Sequence, residues 1–356
     1  MNAKLFNASL LTACVLLASA NPVSASGYTF SDLGTLVGRY DNLATATDIN
    51  DSGQVVGYGR NESFYHAIIW NDTTATKLPT PAGGWWGWTE NEKAYGINNS
   101  GQVVGVSLAV NGFDFHATIW NGTTPTDLGA PGGRYSLATG INNSGQVVGV
   151  SLGSPTHAII WNGTTPTVLG DLGGTYSWAT GINDSGQVVG SSLTSDRITH
   201  ATIWNGTTPT DLGTLGGNAS EATGINNAGQ VVGSSLTSDG ITHATIWNGT
   251  TPTDLNNFLS VSDVNAGWVL REANGINDNG WLVGAAWNIH TGARDAFLLT
   301  PCDTCPIYIH PDPININTGQ VPDPVPEVPE PETYALFMAG LGLMGFIARR
   351  RKNGQA

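Results

Sequence analysis

The sequence predicts an all-β fold, and within that class a six-bladed β-propeller. Three observations support this prediction. Charged residues make up only 11% of the 356 residues while glycine accounts for 47, a composition typical of strands joined by tight turns. A Gly-Ile-Asn-like element occurs six times, with its isoleucine at positions 49, 97, 141, 182, 225 and 276. Finally, the repeat region 27–300 begins and ends with partial repeats that complement each other.

Each repeat divides into four short apolar segments separated by turn residues. In the third copy these segments span 138–141, 146–149, 157–161 and 167–169. The turns Asn142–Gly145 and Asn162-Gly163 separate them, since Asn and Gly tolerate the left-handed backbone that tight hairpins require. No apolar period of 3.6 residues runs for a useful length, so no helix is expected. Four strands in a repeat of 41 to 51 residues indicate a propeller blade.

The two ends of the array predict that the ring closes. The last repeat stops after its third segment, Asp295–Leu299. The segment Tyr28–Gly34 resembles an isolated fourth strand, because it matches Thr210–Gly213. We therefore expect Tyr28–Gly34 to complete blade 6 and so remove two exposed sheet edges. A linear β-solenoid is the alternative, and it requires capping segments that neither end shows.

The N-terminus predicts a cleavable signal peptide over residues 1–26. Lys4 supplies the positive charge, residues 5–20 are mostly apolar, and small residues follow at 24–26. The spacing around Cys14 also resembles a lipobox, which would make Cys14 a lipid-attachment site. Because the apolar run continues beyond Cys14, ordinary cleavage is the favoured interpretation and lipid attachment is the alternative.

Two cysteines remain in the expected mature chain, Cys302 and Cys305. In an oxidising envelope they are expected to form a small local disulfide. A redox-active CxxC is the alternative, but no βαβ pattern surrounds the pair. A zinc site that includes His310 would still lack a fourth ligand.

The C-terminal part has a different composition from the repeats. Residues 301–332 are rich in proline and are predicted to form a linker. Residues 328–352 then combine the tripeptide Pro329, Glu330 and Pro331 with an apolar run at 334–348 and a basic cluster at its end. That cluster contains Arg349, Arg350 and Arg351. The apolar run is expected to be a single hydrophobic transmembrane helix with its arginines on the cytoplasmic side.

Residues 328–352 resemble the PEP-CTERM sorting signal of Gram-negative bacteria along their whole length. The resemblance implies an exported protein that is anchored transiently in the inner membrane. Signal peptidase and an exosortase-like enzyme would process it near the Pro-Glu-Pro tripeptide and deliver it to the cell surface or extracellular matrix. It also implies a producer of exopolysaccharide or biofilm. A plain C-terminal anchor is the alternative interpretation.

The repeats resemble the extracellular HAF-repeat family, which is named for a His-Ala-Phe motif. Here the His-Ala pair is followed by Ile or Thr, and its histidine lies at positions 66, 116, 157, 200 and 243. Only Asp295-Ala296-Phe297 keeps the Phe, and that copy lacks the His. The resemblance implies an exported protein and supplies no catalytic residues.

Charge and side-chain chemistry argue against several function classes. The formal net charge of −14 repels phosphate backbones, so nucleic acid is not an expected partner. The five repeated histidines lie on third strands spread around the ring, so we expect hydrogen bonds within each blade rather than a metal site. The repeated tryptophans at 70, 120, 161, 204 and 247 are expected to pack between blades. No cofactor is predicted.

Three connections that enter blades 1, 2 and 6 are longer than the others. If the ring closes, these blades are adjacent and their long loops share one face. Aromatic and acidic side chains concentrate there, which predicts a sugar-binding surface because indole rings pack against pyranose rings. The predicted ligand-binding residues are Tyr40, Trp85, Trp86, Trp88, Glu90 and Trp268, with Glu92 on the same loop. The alternative is that these aromatics only cover the end of the propeller.

These observations predict a non-catalytic binding or structural protein of the cell envelope or biofilm matrix, with exopolysaccharide as the candidate ligand. The alternative is an extracellular polysaccharide lyase or hydrolase on a propeller scaffold. The predicted first strands offer mostly Ala, Thr, Gly and Ile, and only Asp48 stands out among them. One carboxylate is not the pair that glycoside hydrolysis generally uses.

Overall fold

Short antiparallel strands account for nearly all of the regular structure in this computed structural model. It describes residues 44–61, 64–72, 74–81, 92–109 and 111–301. The signal peptide, the predicted closing strand at 28–34, the Cys302–Cys305 disulfide, the linker and the hydrophobic segment 334–348 all lie outside these ranges.

The described strands form six sheets, one for each repeat. Blade 1 contains β1 (Ala44–Ile49), β2 (Val55–Asn61), β3 (Phe64–Asn71) and β4 (Thr74–Lys77). Blade 2 contains β5 (Lys93–Ile97), β6 (Gln102–Leu108), β7 (Phe115–Asn121) and β8 (Thr124–Asp127). Blade 3 contains β9 (Gly133–Ile141), β10 (Gln146–Gly153), β11 (His157–Asn162) and β12 (Thr165–Val168). Blade 4 contains β13 (Gly173–Ile182), β14 (Val188–Thr194), β15 (Thr199–Asn205) and β16 (Thr208–Asp211). Blade 5 contains β17 (Gly216–Ile225), β18 (Gln230–Thr237), β19 (Thr242–Asn248) and β20 (Thr251–Asp254). Blade 6 contains β21 (Trp268–Ile276), β22 (Leu282–Asn288) and β23 (Arg294–Leu299).

Within each blade the strands pair antiparallel in chain order, and the blades form the predicted six-bladed propeller. Blade 6 has three strands in the described part of the chain. The first strands are longer than the repeat pattern suggests, since β9 begins at Gly133 rather than near residue 138. The reason is that the residues before the Ala-Thr-Gly-Ile segment also pair with the second strand, as Leu137 does with Val150.

The tight turns have the chemistry that the sequence predicts. After β9, Asn142 Oδ1 accepts the backbone N–H of Gln146 at 2.9 Å, and Gly145 donates its N–H to the carbonyl of Asn142. Gly145 has φ +80°, a conformation that glycine adopts without steric cost. The same arrangement recurs in the other blades, which fixes the register between first and second strands.

The expectation of no helix is wrong at one place, the long connection between β20 and β21. A 3₁₀ turn spans Leu255–Phe258, and a short α-helix, α1, spans Val261–Asn265. The Ser260 side chain caps α1 by accepting the N–H of Asp263. Only five residues long, α1 has too few turns to show an apolar period, which is why the sequence pattern does not reveal it.

The core consists of similar apolar clusters between successive blades. Trp204 packs between blades 3 and 4, with Val148 and Leu169 on one side and Val188 on the other. Its indole N–H donates to the carbonyl of Gly170 at 2.7 Å. All five repeated tryptophans are less than 2% exposed. The prediction that they pack between blades is confirmed for Trp120, Trp161, Trp204 and Trp247, whose clusters each join two blades.

The seam between blades 6 and 1 differs from the other five interfaces. Val283 in β22 and Leu298 in β23 are 48% and 49% exposed, whereas Val148, the counterpart of Val283 in blade 3, is 0% exposed. Ala46 in β1 is exposed, whereas its counterpart Ala94 is buried. The described strands therefore leave apolar surface open at this seam.

Candidate functional site

A polar cavity of about 420 Å³ lies on the propeller axis at one end of the ring. All six blades contribute to it through the turn that joins their first and second strands. The lining consists of an Ile, an Asn and an Asn or Asp from each turn. Because all six turns surround this cavity, the repeats form a ring and not a linear solenoid.

The inner ring of asparagines links successive blades. Each donates its side-chain Nδ2 to the backbone carbonyl of the equivalent asparagine in the next blade, at 3.1 to 3.2 Å. The five donors are Asn50, Asn98, Asn142, Asn183 and Asn226. Among the described residues no such bond runs from Asn277 to Asn50. These amides therefore hold blades together, and their Oδ1 atoms cap their own turns.

The outer ring supplies the charge of the cavity, because three of its six members are aspartates. In blades 1 to 5 the backbone N–H of the outer-ring residue donates to the side-chain Oδ1 of the outer-ring residue in the next blade. The N–H of Asn143, for example, donates to Asp184 Oδ1 at 2.9 Å. Asp184 Oδ2 also accepts the side-chain N–H groups of Asn143 and Asn227. These bonds, the backbone N–H of Asn143 first, lower the pKa of Asp184. Its carboxylate is thus ionised and used as a structural acceptor.

Asp48 occupies the position where the other five blades have glycine. Its Oδ2 accepts the backbone N–H of Ile97 in blade 2 at 2.9 Å, and its Oδ1 accepts that of Ile49. Burial raises the pKa of Asp48, although these two hydrogen bonds act in the opposite direction. The enzyme alternative depends on this carboxyl group. In the ranges that the structure describes, no group of three His, Cys, Asp or Glu side chains is arranged to hold a metal ion.

The repeated histidines make hydrogen bonds within their blades in three copies. The Nδ1 atoms of His116, His200 and His243 lie 2.6 to 2.8 Å from a carboxylate oxygen of the aspartate on the fourth strand. In blade 3 the fourth strand has Val168 at this position, and the buried Nδ1 of His157 has no hydrogen-bond partner among the described residues. The prediction of blade-internal hydrogen bonds is therefore confirmed for these three copies.

Blade 1 differs from the repeat because Lys77 replaces the aspartate. Its histidine, His66, instead lies 3.9 Å from Glu92 Oε2 at the start of blade 2. Glu92 is 0% exposed, and Ser107 donates to its Oε1 at 3.4 Å. The expectation that Glu92 belongs to an exposed loop is wrong, since it takes the place that a buried serine, such as Ser136, holds in blade 3.

Next to Glu92, a lysine lies between two tyrosine rings. Lys93 Nζ is 4.7 Å from the ring centre of Tyr58 and 5.0 Å from that of Tyr65, and the two rings pack edge to face. The repeat pattern does not predict this cation–π cluster. A signal was present, because Tyr58 and Lys93 replace the small or apolar residues that blade 3 has at these positions, Val150 and Leu137.

Of the residues predicted to bind sugar, the structure describes Trp268 alone. It begins β21, is partly exposed, and packs against the apolar cluster between blades 5 and 6. Tyr40, Trp85, Trp86, Trp88 and Glu90 lie outside the described ranges, as do the predicted sorting residues from Pro329 to Arg351. Sugar binding at these side chains stays a prediction.

The segment beyond the propeller is similar in sequence to a known sorting motif. Residues 327–352 match the PEP-CTERM protein-sorting motif. This match agrees with the boundaries predicted for the tail and shows that the chain carries a sorting signal.

The PEP-CTERM match characterises the C-terminal segment and not the propeller, because it spans 26 residues of 356. A motif of this kind indicates an exported protein that is sorted by an exosortase through a membrane-linked signal. No curated protein matches the chain. Within the described ranges, none of the helices has the length and apolar character needed to cross a membrane.

Proposed function

We propose that the chain is an exported protein of the cell envelope or biofilm matrix whose propeller is a non-catalytic binding or structural domain. The observation that carries this proposal is the PEP-CTERM motif at residues 327–352, which follows the propeller in the same chain. The resemblance of the repeats to the extracellular HAF family supports the same location. Gram-negative origin and an exopolysaccharide ligand are parts of this proposal.

The hydrogen bonding of the axial cavity supports a non-catalytic role. Its asparagines and aspartates are bonded to neighbouring blades or to their own turns, as Asn142 and Asp184 illustrate. A general acid or base must be free to exchange a proton with a substrate. Polar groups fixed in this way suit a rigid scaffold that presents loops, and loops are where binding residues commonly lie.

The binding surface that we propose is formed by the loops that enter blades 1, 2 and 6. Replacing Trp85, Trp86 and Trp88 together by alanine should lower retention on the producer's exopolysaccharide by about tenfold or more, because exposed indole rings supply most of the contact area to a sugar. Retention of the purified exported protein on the immobilised polysaccharide measures this. The same samples are assayed for released oligosaccharides, and we expect none.

The matched control is Trp281→Ala, which removes a tryptophan that is 40% exposed. Trp281 lies between β21 and β22 of blade 6, outside the three long loops. It should retain wild-type binding. Unchanged binding of the triple variant would contradict the proposed surface. Release of product by the wild type would instead favour the lyase or hydrolase alternative, for which Asp48 is the first residue to test.

The sorting motif gives a second expected result. Replacing Pro329, Glu330 and Pro331 by alanine should prevent cleavage, so that the protein keeps its C-terminal residues and accumulates in the membrane fraction. The physical reason is that the apolar run 334–348 and the arginines after it retain the chain in the membrane until it is cut. Mass spectrometry of the intact protein from each fraction measures the C-terminus directly.

A second proline–acid–proline tripeptide provides a close control. Pro322, Asp323 and Pro324 have the same chemistry but precede residues 327–352. Their replacement by alanine should leave processing unchanged. If both triple variants are processed like the wild type, the proposed role of the Pro-Glu-Pro tripeptide is wrong.

A further inference from the structure

The interface between blades 5 and 6 lacks the tryptophan that fills the preceding blade interfaces. In blade 5, Trp247 pairs with Val231 across β18 and β19, and its indole lies against blade 4. In blade 6 the corresponding pair is Leu282 and Leu299, across β22 and β23. A leucine side chain is much smaller than an indole, so the last interface has less to fill the same space.

A cavity of about 590 Å³ lies at this position. Its apolar wall contains Ile246 and Leu255 from blade 5 and Leu282 and Leu299 from blade 6. Phe258, in the 3₁₀ turn, lines it and is 50% exposed. The volume is within the range of small-molecule sites, and the wall is of the apolar kind that binds flat rings.

The repeat itself shows what this wall accommodates. At the interface of blades 4 and 5, Leu212, Ile203 and Val231 surround the buried indole of Trp247. Leu255, Ile246 and Leu282 are their counterparts one blade later, and all three line the cavity. The wall that contacts a tryptophan ring at one interface is therefore present at the next interface without the ring.

The rim of the cavity provides hydrogen-bond acceptors. Asn248, Asp278 and Asn279 line it from the turns of blades 5 and 6. Asp278 already accepts two N–H groups from Asn227, and a carboxylate has lone pairs for further donors. A ring with an N–H or O–H group could thus bury its face against the leucines and direct its donor to the rim.

We propose that the space between blades 5 and 6 is a binding site for a small planar aromatic molecule that carries an N–H or O–H group. This site shares Phe258 with the connection that enters blade 6, but its lining contains none of Trp85, Trp86 and Trp88, so the two proposals are tested by different variants. The apolar wall holds the ring, and the acceptors at the rim select a ring with a polar donor over a plain hydrocarbon.

The test measures binding of indole to the full-length protein by isothermal titration calorimetry. The wild type should bind one indole per chain. Leu299→Trp restores the residue of the repeat and fills the site, so it should weaken indole binding by at least about tenfold. Filling the space should also raise the midpoint of thermal unfolding by about 2–4 °C, which shows that the variant folds.

Leu298→Trp is the matched control, because it adds the same ring one residue earlier, at a side chain that is 49% exposed. It should bind indole like the wild type. No binding by the wild type, or equal binding by both tryptophan variants, would overturn the proposal. Binding that appears only after residues 302–356 are removed would also overturn it, because the chain's own tail would then occupy the space.

Discussion

Replacement of Trp204 by alanine is expected to lower the free energy of unfolding by about 3–5 kcal/mol. Trp204 is 0% exposed, and its ring contacts both blade 3 and blade 4. The change removes this contact area and leaves a cavity between two stacked sheets. It also removes the indole N–H that donates to the carbonyl of Gly170 at 2.7 Å. Urea unfolding followed by far-ultraviolet circular dichroism measures the loss.

Trp281→Ala is the control for this prediction, since the deleted ring is the same but is 40% exposed. Its effect should stay within about 1 kcal/mol, as for surface substitutions in general. Similar losses for the two variants would contradict the view that stability comes from tryptophan packing between blades.

Replacement of Gly190 by alanine is expected to cost about 3 kcal/mol or more, a large effect for one added methyl group. Gly190 lies in β14, where the pairing with β13 shifts register. A Cβ at this position would lie 2.0 Å from the backbone oxygen of Trp178 and 2.9 Å from the Cα of Ala179. Both atoms belong to the neighbouring strand, so relief requires movement of the backbone. The unfolding free energy in urea is again the measurement.

Gly181→Ala tests whether the loss of stability comes from replacing a glycine or from the steric contact of the added Cβ with the neighbouring strand. Gly181 lies on the opposite strand of the same pair, and its added Cβ would meet its nearest neighbour, Val189 Cγ2, at an ordinary 3.5 Å. We expect a change within about 1 kcal/mol. If Gly190→Ala were as mild as Gly181→Ala, the second strand would have more freedom than the structure shows.

The strands and their turns were predictable because they depend on local chemistry. An Asn-x-x-Gly turn fixes the hairpin register whatever surrounds it, as at Asn142 and Gly145. The burial of the tryptophans was predictable too, because a large apolar side chain that recurs once per repeat is buried most readily at the interface between two repeats. Repetition thus made the architecture readable from one sequence.

The links between blades could not be predicted in the same way. Asn142 donates to the carbonyl of Asn183, 41 residues away, and only the curvature of the ring decides which groups meet. The burial of Glu92 does not follow from the apolar pattern, because Glu92 precedes β5 and lies beside His66 of blade 1. The short helix α1 and the cavity beside Leu299 lie where blade 6 departs from the repeat. The other repeats therefore give no prediction for these two features.

The direction of the asparagine links has a consequence for how the ring assembles. The inner-ring Asn side chains of blades 1 to 5 donate to the following blade, and Thr47, Thr139, Thr180 and Thr223 donate in the same direction. A chain that emerges N-terminus first therefore completes these bonds of one blade only when the next blade has arrived. Along the chain, each donor thus precedes its acceptor, and blade 6 is the exception because no such bond runs from Asn277 to Asn50 among the described residues.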